Sequence, residues 1–246
     1  MGVFDTCFDT YFGATQEVLK KIYETQKEKI EYAAEKVAET IKADGIIYVF
    51  GCGHSHLVAG DAFYRAGGLA NVSAVFDTDL MLHNGAAKSS VFERMQGLAE
   101  PIYDRYCITE KDTLIVVSTS GKNCVPIEMA QCGVKNGVFT LAVCSSSYFG
   151  ETSKHPSGKL LYNSAEFFID NCVPKGDATV EIGDSKMGAV STAASCFIVN
   201  SVLVGAAGLA NEAGKKPPVY KSGNVEGGAE FNKALIDAYR SRIKHL

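Results

Sequence analysis

Five short apolar runs alternate with helical patterns along most of this chain, and that alternation limits its fold more than any other feature. The runs are GIIYVF (45–50), VSAVFD (72–77), TLIVVS (113–118), GVFTLAV (137–143) and EFFID (166–170). They are rich in Val and Ile, and Gly, Asn or Asp bounds most of them, as expected of buried strands. Helical spacing falls near 56–66, 88–104, 124–135, 188–212 and 228–243. Strands separated by helices predict a parallel sheet covered on both faces, a three-layer α/β sandwich of five strands in the order 2-1-3-4-5. Ahead of the first strand, Val18, Ile22, Ile30, Val37 and Ile41 recur at roughly helical spacing. Residues 1–43 therefore read as a helical extension of one long helix or two, and 44–246 as the α/β core with its C-terminal helices, all in a single domain. No internal repeat or low-complexity tract interrupts it, and 215–228 reads as a loop entering the last helix.

A hydrophobic fraction of 46% suffices for a substantial core. The net charge of −4 and the scattered Lys and Arg give no surface for nucleic acid or an anionic membrane. The apolar stretch 196–210 is broken by Asn200, Ser201, Gly205 and Gly208, so it reads as a buried helix. The N-terminus lacks the basic-then-apolar pattern of a signal peptide. The eight Cys are then expected as reduced thiols in a cytoplasmic protein, and Cys124 and Cys132 have no CxxC partner for zinc.

Two loops carry the chemistry. The first strand ends in GCGHS (51–55) and the third in STSGKN (118–123). Gly lets the backbone approach a ligand, Ser adds hydroxyl donors, and a following helix offers unpaired amides and the positive end of its dipole. Such loops hold anions, phosphate above all. Each alone is also an ordinary turn. In the 2-1-3-4-5 order, however, strands one and three are neighbours at the switch point, so both loops face one crevice. Sharper motifs do not fit. A dinucleotide fingerprint needs GxGxxG, but its sixth position is His56, although Asp77 ends the second strand as a ribose-binding acid would. A Walker loop needs Gly where Val116 stands. His54 and His56, with Asp61 a turn later, begin a metal set but do not complete one. The reading assigns no metal and no cofactor.

These loops, with FGCGHSHLVAGDAFYRAGGL, VFERMQGLA, VVSTSGKNCVPIEMA, HPSGKLLY, GDATVEI and SGNVEGGAEFN, resemble the sugar isomerase (SIS) domain family. They are most similar to a bacterial branch grouped with the phosphosugar isomerases and labelled only as sugar isomerase-domain proteins. The resemblance covers almost the whole chain. It implies a small-molecule sugar phosphate as ligand and a homodimer or homotetramer paired through N-terminal helices. It implies phosphate contacts at Ser118, Ser120 and Asn123, with Thr119 giving mainly its backbone amide, and Gly53 and Ser55 facing the sugar or its phosphate. The family includes isomerases, an etherase, a transferase-linked isomerase and regulators that only bind. Aminosugar-forming members carry Ser-Thr-Lys at a late helix start, whereas this chain has Ala193 in the Lys position of VSTA (190–193). Heptose isomerases supply His and Glu from their first helix, where the nearest positions here are Asp61 and Arg65. Family regulators usually carry a helix-turn-helix domain, for which residues 1–43 are too short and too acidic.

Isomerisation and ether elimination both begin with removal of the proton alpha to an open-chain carbonyl. The candidate base is Glu93 in SSVFERMQG, between strands two and three. Its plain alternative is an exposed helix Glu paired with Arg94 or Lys88. His54 and His56 are the other proton carriers, kept neutral by a helix N-terminus. His83 and His155 read as surface residues and Glu128 as solvent-facing. The expected function is a phosphosugar isomerase or lyase; the alternative is a phosphosugar sensor without turnover.

Overall fold

The computed structural model describes residues 2–246. One uninterrupted helix, α1 (Val3–Lys42), forms the extension. At 1.5 Å per residue it is about 60 Å long. It buries Val18, Ile22, Ala33, Ala34, Val37, Ala38 and Ile41, while its first turns stand clear of the core.

The sheet comprises β1 (Ile47–Gly51), β2 (Val72–Val75), β3 (Thr113–Val117), β4 (Phe139–Cys144) and β5 (Phe167–Asp170). All pairs are parallel in the order β2-β1-β3-β4-β5, as expected. Ile47 lies opposite Val72 on one side and Thr113 on the other. Successive side chains point to opposite faces, so one run of apolar residues feeds two cores. Ile47, Val49, Ile115, Val117, Leu141 and Val143 meet α1, α2 (His56–Ala62) and α6 (Ser191–Glu212). Ile46, Tyr48, Phe50, Leu114, Val116 and Ala142 meet α4 (Ala99–Tyr106) and α5 (Cys124–Lys135). A short α3 (Ala86–Phe92) precedes α4, and α7 (Gly228–Tyr239) closes the fold near the C-terminus.

Four expectations need correction. The pattern over 88–104 is two helices, because Gly97 takes a left-handed φ of 79° and its amide is held by the Glu128 carboxylate. Glu128 is thus committed to this turn and does not face solvent. The pattern over 188–212 begins as a helix only at Ser191. Before it stands an antiparallel hairpin of β6 (Ala178–Ile182) and β7 (Ser185–Ala189). Its two-residue turn, Gly183–Asp184, with Gly183 at φ 57°, is what a tight hairpin needs. The helix expected over 56–66 ends at Ala62.

α6 is long and apolar enough to cross a membrane by length and composition. Its buried stripe of Ala194, Ile198, Val199, Val202, Leu203, Ala206 and Ala210 lies in the core beside α1. Close approach depends on small residues: a Cβ on Gly205 would sit 3.1 Å from Ala34 Cβ.

Candidate functional site

Both Gly-Ser loops open at the C-terminal end of the sheet, on one cleft of about 480 Å³. The first turns sharply after β1. A Cβ on Gly51 would lie 2.5 Å from the Ser55 carbonyl carbon and oxygen, so the chain doubles back onto a position only Gly fits. Gly53 follows at φ 54° and starts a single 3-10 turn ending at Ser55. Gly53, His54 and Ser55 line the cleft.

His56 does not. Residues two apart on a helical turn point to different faces, so His54 is exposed and His56 is buried. Its Nδ1 meets the Gly53 carbonyl, which requires the proton on Nδ1, and its Nε2 has no partner among the described residues. Its ring packs edge-on against Phe76 and His83. Burial pushes its pKa below the usual imidazole value, so it is neutral, but it holds the first loop from beneath and has no side open to a ligand.

The second loop leaves β3 at Ser118, whose amide continues the ladder to the Val143 carbonyl at 3.0 Å. The Thr119 carbonyl accepts from Ser145 and the Gly121 carbonyl from Leu161. Gly121 is left-handed, at φ 59°, and turns the chain into α5. Both carbonyls are thus tied to neighbouring segments, unlike the loop's amides after Ser118. Among the described residues, those of Thr119, Ser120, Gly121, Lys122 and Asn123 donate to no protein acceptor. Successive free amides make an anion-binding concavity. Ser118, Thr119, Ser120 and Asn123 line the cleft. The start of α5 adds less than its sequence promised: the Val125 amide goes to the Glu93 carbonyl at 3.1 Å, and Pro126 has none. Lys122 turns away and shares Glu151 with Lys175. His54 is the one basic side chain among the cleft-lining residues described.

Glu93 lies just past the end of α3, on the cleft wall. Its carbonyl takes the Val125 amide, which ties it to the first turn of α5, and it shares the cleft lining with Asn123. Asn123 sits at the N-cap of α5, and its side chain makes no capping bond among the described residues. Burial raises the Glu93 pKa above the ordinary carboxylate value, with Asn123 and Arg94 opposing. Lys88 is not its partner; it binds Asp79 at 2.8 Å.

Sequence reasoning missed several lining residues: Cys52, Leu82, Ser90, Tyr148, Asp177 and Ser191. Asp177 holds φ 64° and accepts from the amides of Val190 and Ser191 and the Ser191 hydroxyl, which caps α6 and closes the cleft on that side. The GDATVEI stretch was the only signal of it. Other candidates lie elsewhere. Asp61 pairs with Arg65 and accepts from Asn200 at 2.8 Å. His155 is not a surface residue: it is tucked against Glu128 at 3.5 Å. A larger cavity, about 620 Å³, runs between α1 and the hairpin. Two of its serine hydroxyls, on Ser145 and Ser147, are already spent on the Val173 carbonyl, and none of the candidate site residues lines it.

The SIS-domain family pattern matches residues 10–145. A UPF0309 protein of Caldanaerobacter subterraneus subsp. tengcongensis is 42% identical over 244 residues, covering 97% of this chain and 99% of its own. One of Geobacillus thermodenitrificans is 42% identical over 241 residues, covering 97% of each. Among solved structures, a phosphoheptose isomerase of Neisseria gonorrhoeae superposes with a TM-score of 0.57 at 15% identity, over 83% of this chain and 98% of its own. One of Francisella tularensis does so at 0.54 and 14%, over 84% and 98%. At such identities these two share the fold. The sequence pattern and the near-full-length relatives establish more: the chain belongs to the SIS-domain family, among its UPF0309 proteins.

Proposed function

We propose that the cleft binds a sugar phosphate, with the phosphate on residues 118–123 and the sugar toward Glu93 and the 53–55 turn, and that the chain isomerises it. The run of free amides from Thr119 to Asn123, beside the hydroxyls of Ser118 and Ser120, carries the reading. It offers many donors and little fixed charge, which suits a phosphate that must be released after turnover. Membership of the SIS family and the fold shared with phosphoheptose isomerases support the same reading.

In the proposed reaction, Glu93 removes the proton from the carbon beside the open-chain carbonyl. The electron pair moves into an enediolate, whose oxygen the Ser55 hydroxyl and His54 stabilise. His54 relays the proton of the neighbouring hydroxyl to the former carbonyl oxygen, Glu93 returns its proton to the former carbonyl carbon, and an aldose becomes a ketose with no other reactant. A carboxyl desolvated on the cleft wall is a stronger base than one in water.

Calorimetry with a hexose 6-phosphate and its unphosphorylated parent tests the phosphate seat. A hydrogen bond to a charged group contributes about 1.5–3 kcal/mol, so Ser118→Ala/Ser120→Ala should weaken the phosphosugar roughly 100-fold or more. Equal binding of both ligands by the wild type sinks the reading. A panel of pentose, hexose, heptose and aminosugar phosphates in D2O tests turnover through deuterium entry beside the carbonyl. Binding without exchange across the panel leaves a phosphosugar sensor instead.

A further inference from the structure

Thr119 sits in the middle of the second loop, and the protein behind the cleft dictates how its hydroxyl points. Asn171, the first residue after β5, is fully buried. Its amide nitrogen lies 3.2 Å from Thr119 Oγ1 and 3.2 Å from Ser195 Oγ on α6. Its amide oxygen accepts the Val173 N–H at 3.3 Å. That bond sets the amide's orientation, since the flipped group would aim NH2 at an N–H. The Asn171 backbone is anchored too, its N–H going to the Cys144 carbonyl at 3.0 Å.

Both hydrogens of the Asn171 amide therefore go to hydroxyl oxygens. A threonine hydroxyl carries one hydrogen. With its oxygen already accepting from Asn171, Thr119 must direct that hydrogen away from Asn171. Among the described residues no protein group accepts it, and Thr119 lines the cleft. We propose that Asn171 is a positioning residue that holds the Thr119 hydroxyl as a donor into the cleft, toward the ligand's phosphate. This rests on the phosphate seat argued above. It revises the expectation that Thr119 gives mainly its backbone amide. It also ties the edge strand β5 and helix α6 to a site whose loops come from β1 and β3.

The probe is inorganic phosphate, titrated by calorimetry, with a thermal melt for each variant. Thr119→Val should lose about tenfold or more in affinity, the loss of one bond to a charged acceptor, while Thr119→Ser stays near the wild type. Asn171→Ala should weaken binding on its own but by less than twofold on the Thr119→Val background, because its action passes through that hydroxyl. Asn171→Asp keeps the Val173 bond, pulls the Thr119 hydrogen back to itself, and should lose at least as much as Thr119→Val; it carries the test where Asn171→Ala does not fold. If Asn171→Ala or Asn171→Asp folds and binds phosphate like the wild type, or if the Asn171→Ala and Thr119→Val losses multiply, the inference is wrong and the seat stands. If Ser118→Ala/Ser120→Ala binds phosphate as well as the wild type, the seat itself is wrong and the inference goes with it.

Discussion

Thr40, near the end of α1, and Thr113, at the start of β3, share a buried hydroxyl–hydroxyl bond of 2.7 Å. The two residues are not equivalent. Elsewhere in α1, the hydroxyls of Thr6, Thr10, Thr15 and Thr25 all donate to the carbonyl four residues before them. Thr40 has the same option at Lys36 and uses Thr113 instead. In Thr113→Val, a χ1 rotation lets Thr40 bond back to its own helix. In Thr40→Val, the Thr113 hydroxyl has no such carbonyl and stays unpaired inside the sheet. An unsatisfied buried hydroxyl costs about 1–3 kcal/mol, and a net lost hydrogen bond about 0.5–1.5. Thr40→Val should therefore destabilise by about 1–3 kcal/mol and Thr113→Val by about 0.5–1.5. At roughly 2–4 °C per kcal/mol for a chain of this size, Thr40→Val lowers Tm by about 2–12 °C. Thr40→Val/Thr113→Val, with both polar groups gone, should be more stable than Thr40→Val alone. Urea unfolding at constant m-value measures all three. The reasoning fails if Thr113→Val is the more damaging single change, or if the double variant falls below Thr40→Val.

Four further outcomes are expected. Glu93→Gln keeps phosphosugar binding and lowers turnover by about 10²–10⁴-fold, the usual worth of a general base; unchanged deuterium exchange would reassign the base to His54. The same substitution changes the pH dependence of stability. Because the folded pKa of Glu93 is raised, the folded state binds more protons than the unfolded state between the ordinary and the raised value, so wild-type stability falls as pH rises through that window. Glu93→Gln removes that fall, and a melt series from acid to neutral pH should show it more stable on the neutral side only. Gly51→Ala drives a Cβ to 2.5 Å from the Ser55 backbone, so it should destabilise by about 1–3 kcal/mol and weaken phosphosugar binding; a melt and a titration matching wild type would contradict this. We also propose a homodimer or homotetramer, since Phe4 (77% exposed), Phe8 (59%) and Phe12 on α1 and Val204 (71%) on α6 present apolar surface that a monomer leaves wet; sedimentation should show dimer or larger at micromolar concentration, and Phe4→Ser/Phe8→Ser should loosen it.

Local patterning determined the sheet by itself. Short β-branched runs at βα spacing allow few arrangements, and the parallel order, the helices on both faces and the two loops at one end follow from that periodicity. The loops were legible because Gly51, Gly53 and Gly121 meet backbone requirements that only a few residues satisfy. Side-chain roles were not legible, because they depend on what stands opposite. His54 and His56 look alike in the sequence; helical rotation exposes one and buries the other against Phe76 and His83. Glu93 looks like any helical Glu until α3 ends at Phe92 and the residue comes to line one cleft with Asn123, thirty positions on in the chain. Asn171 carries no motif; its place behind Thr119 arises because β5 pairs with β4 and so brings the end of one strand beside the loop of another. Periodicity is a property of neighbours along the chain, whereas hydrogen bonding, burial and desolvation are properties of neighbours in space, and only folding makes the second set from the first.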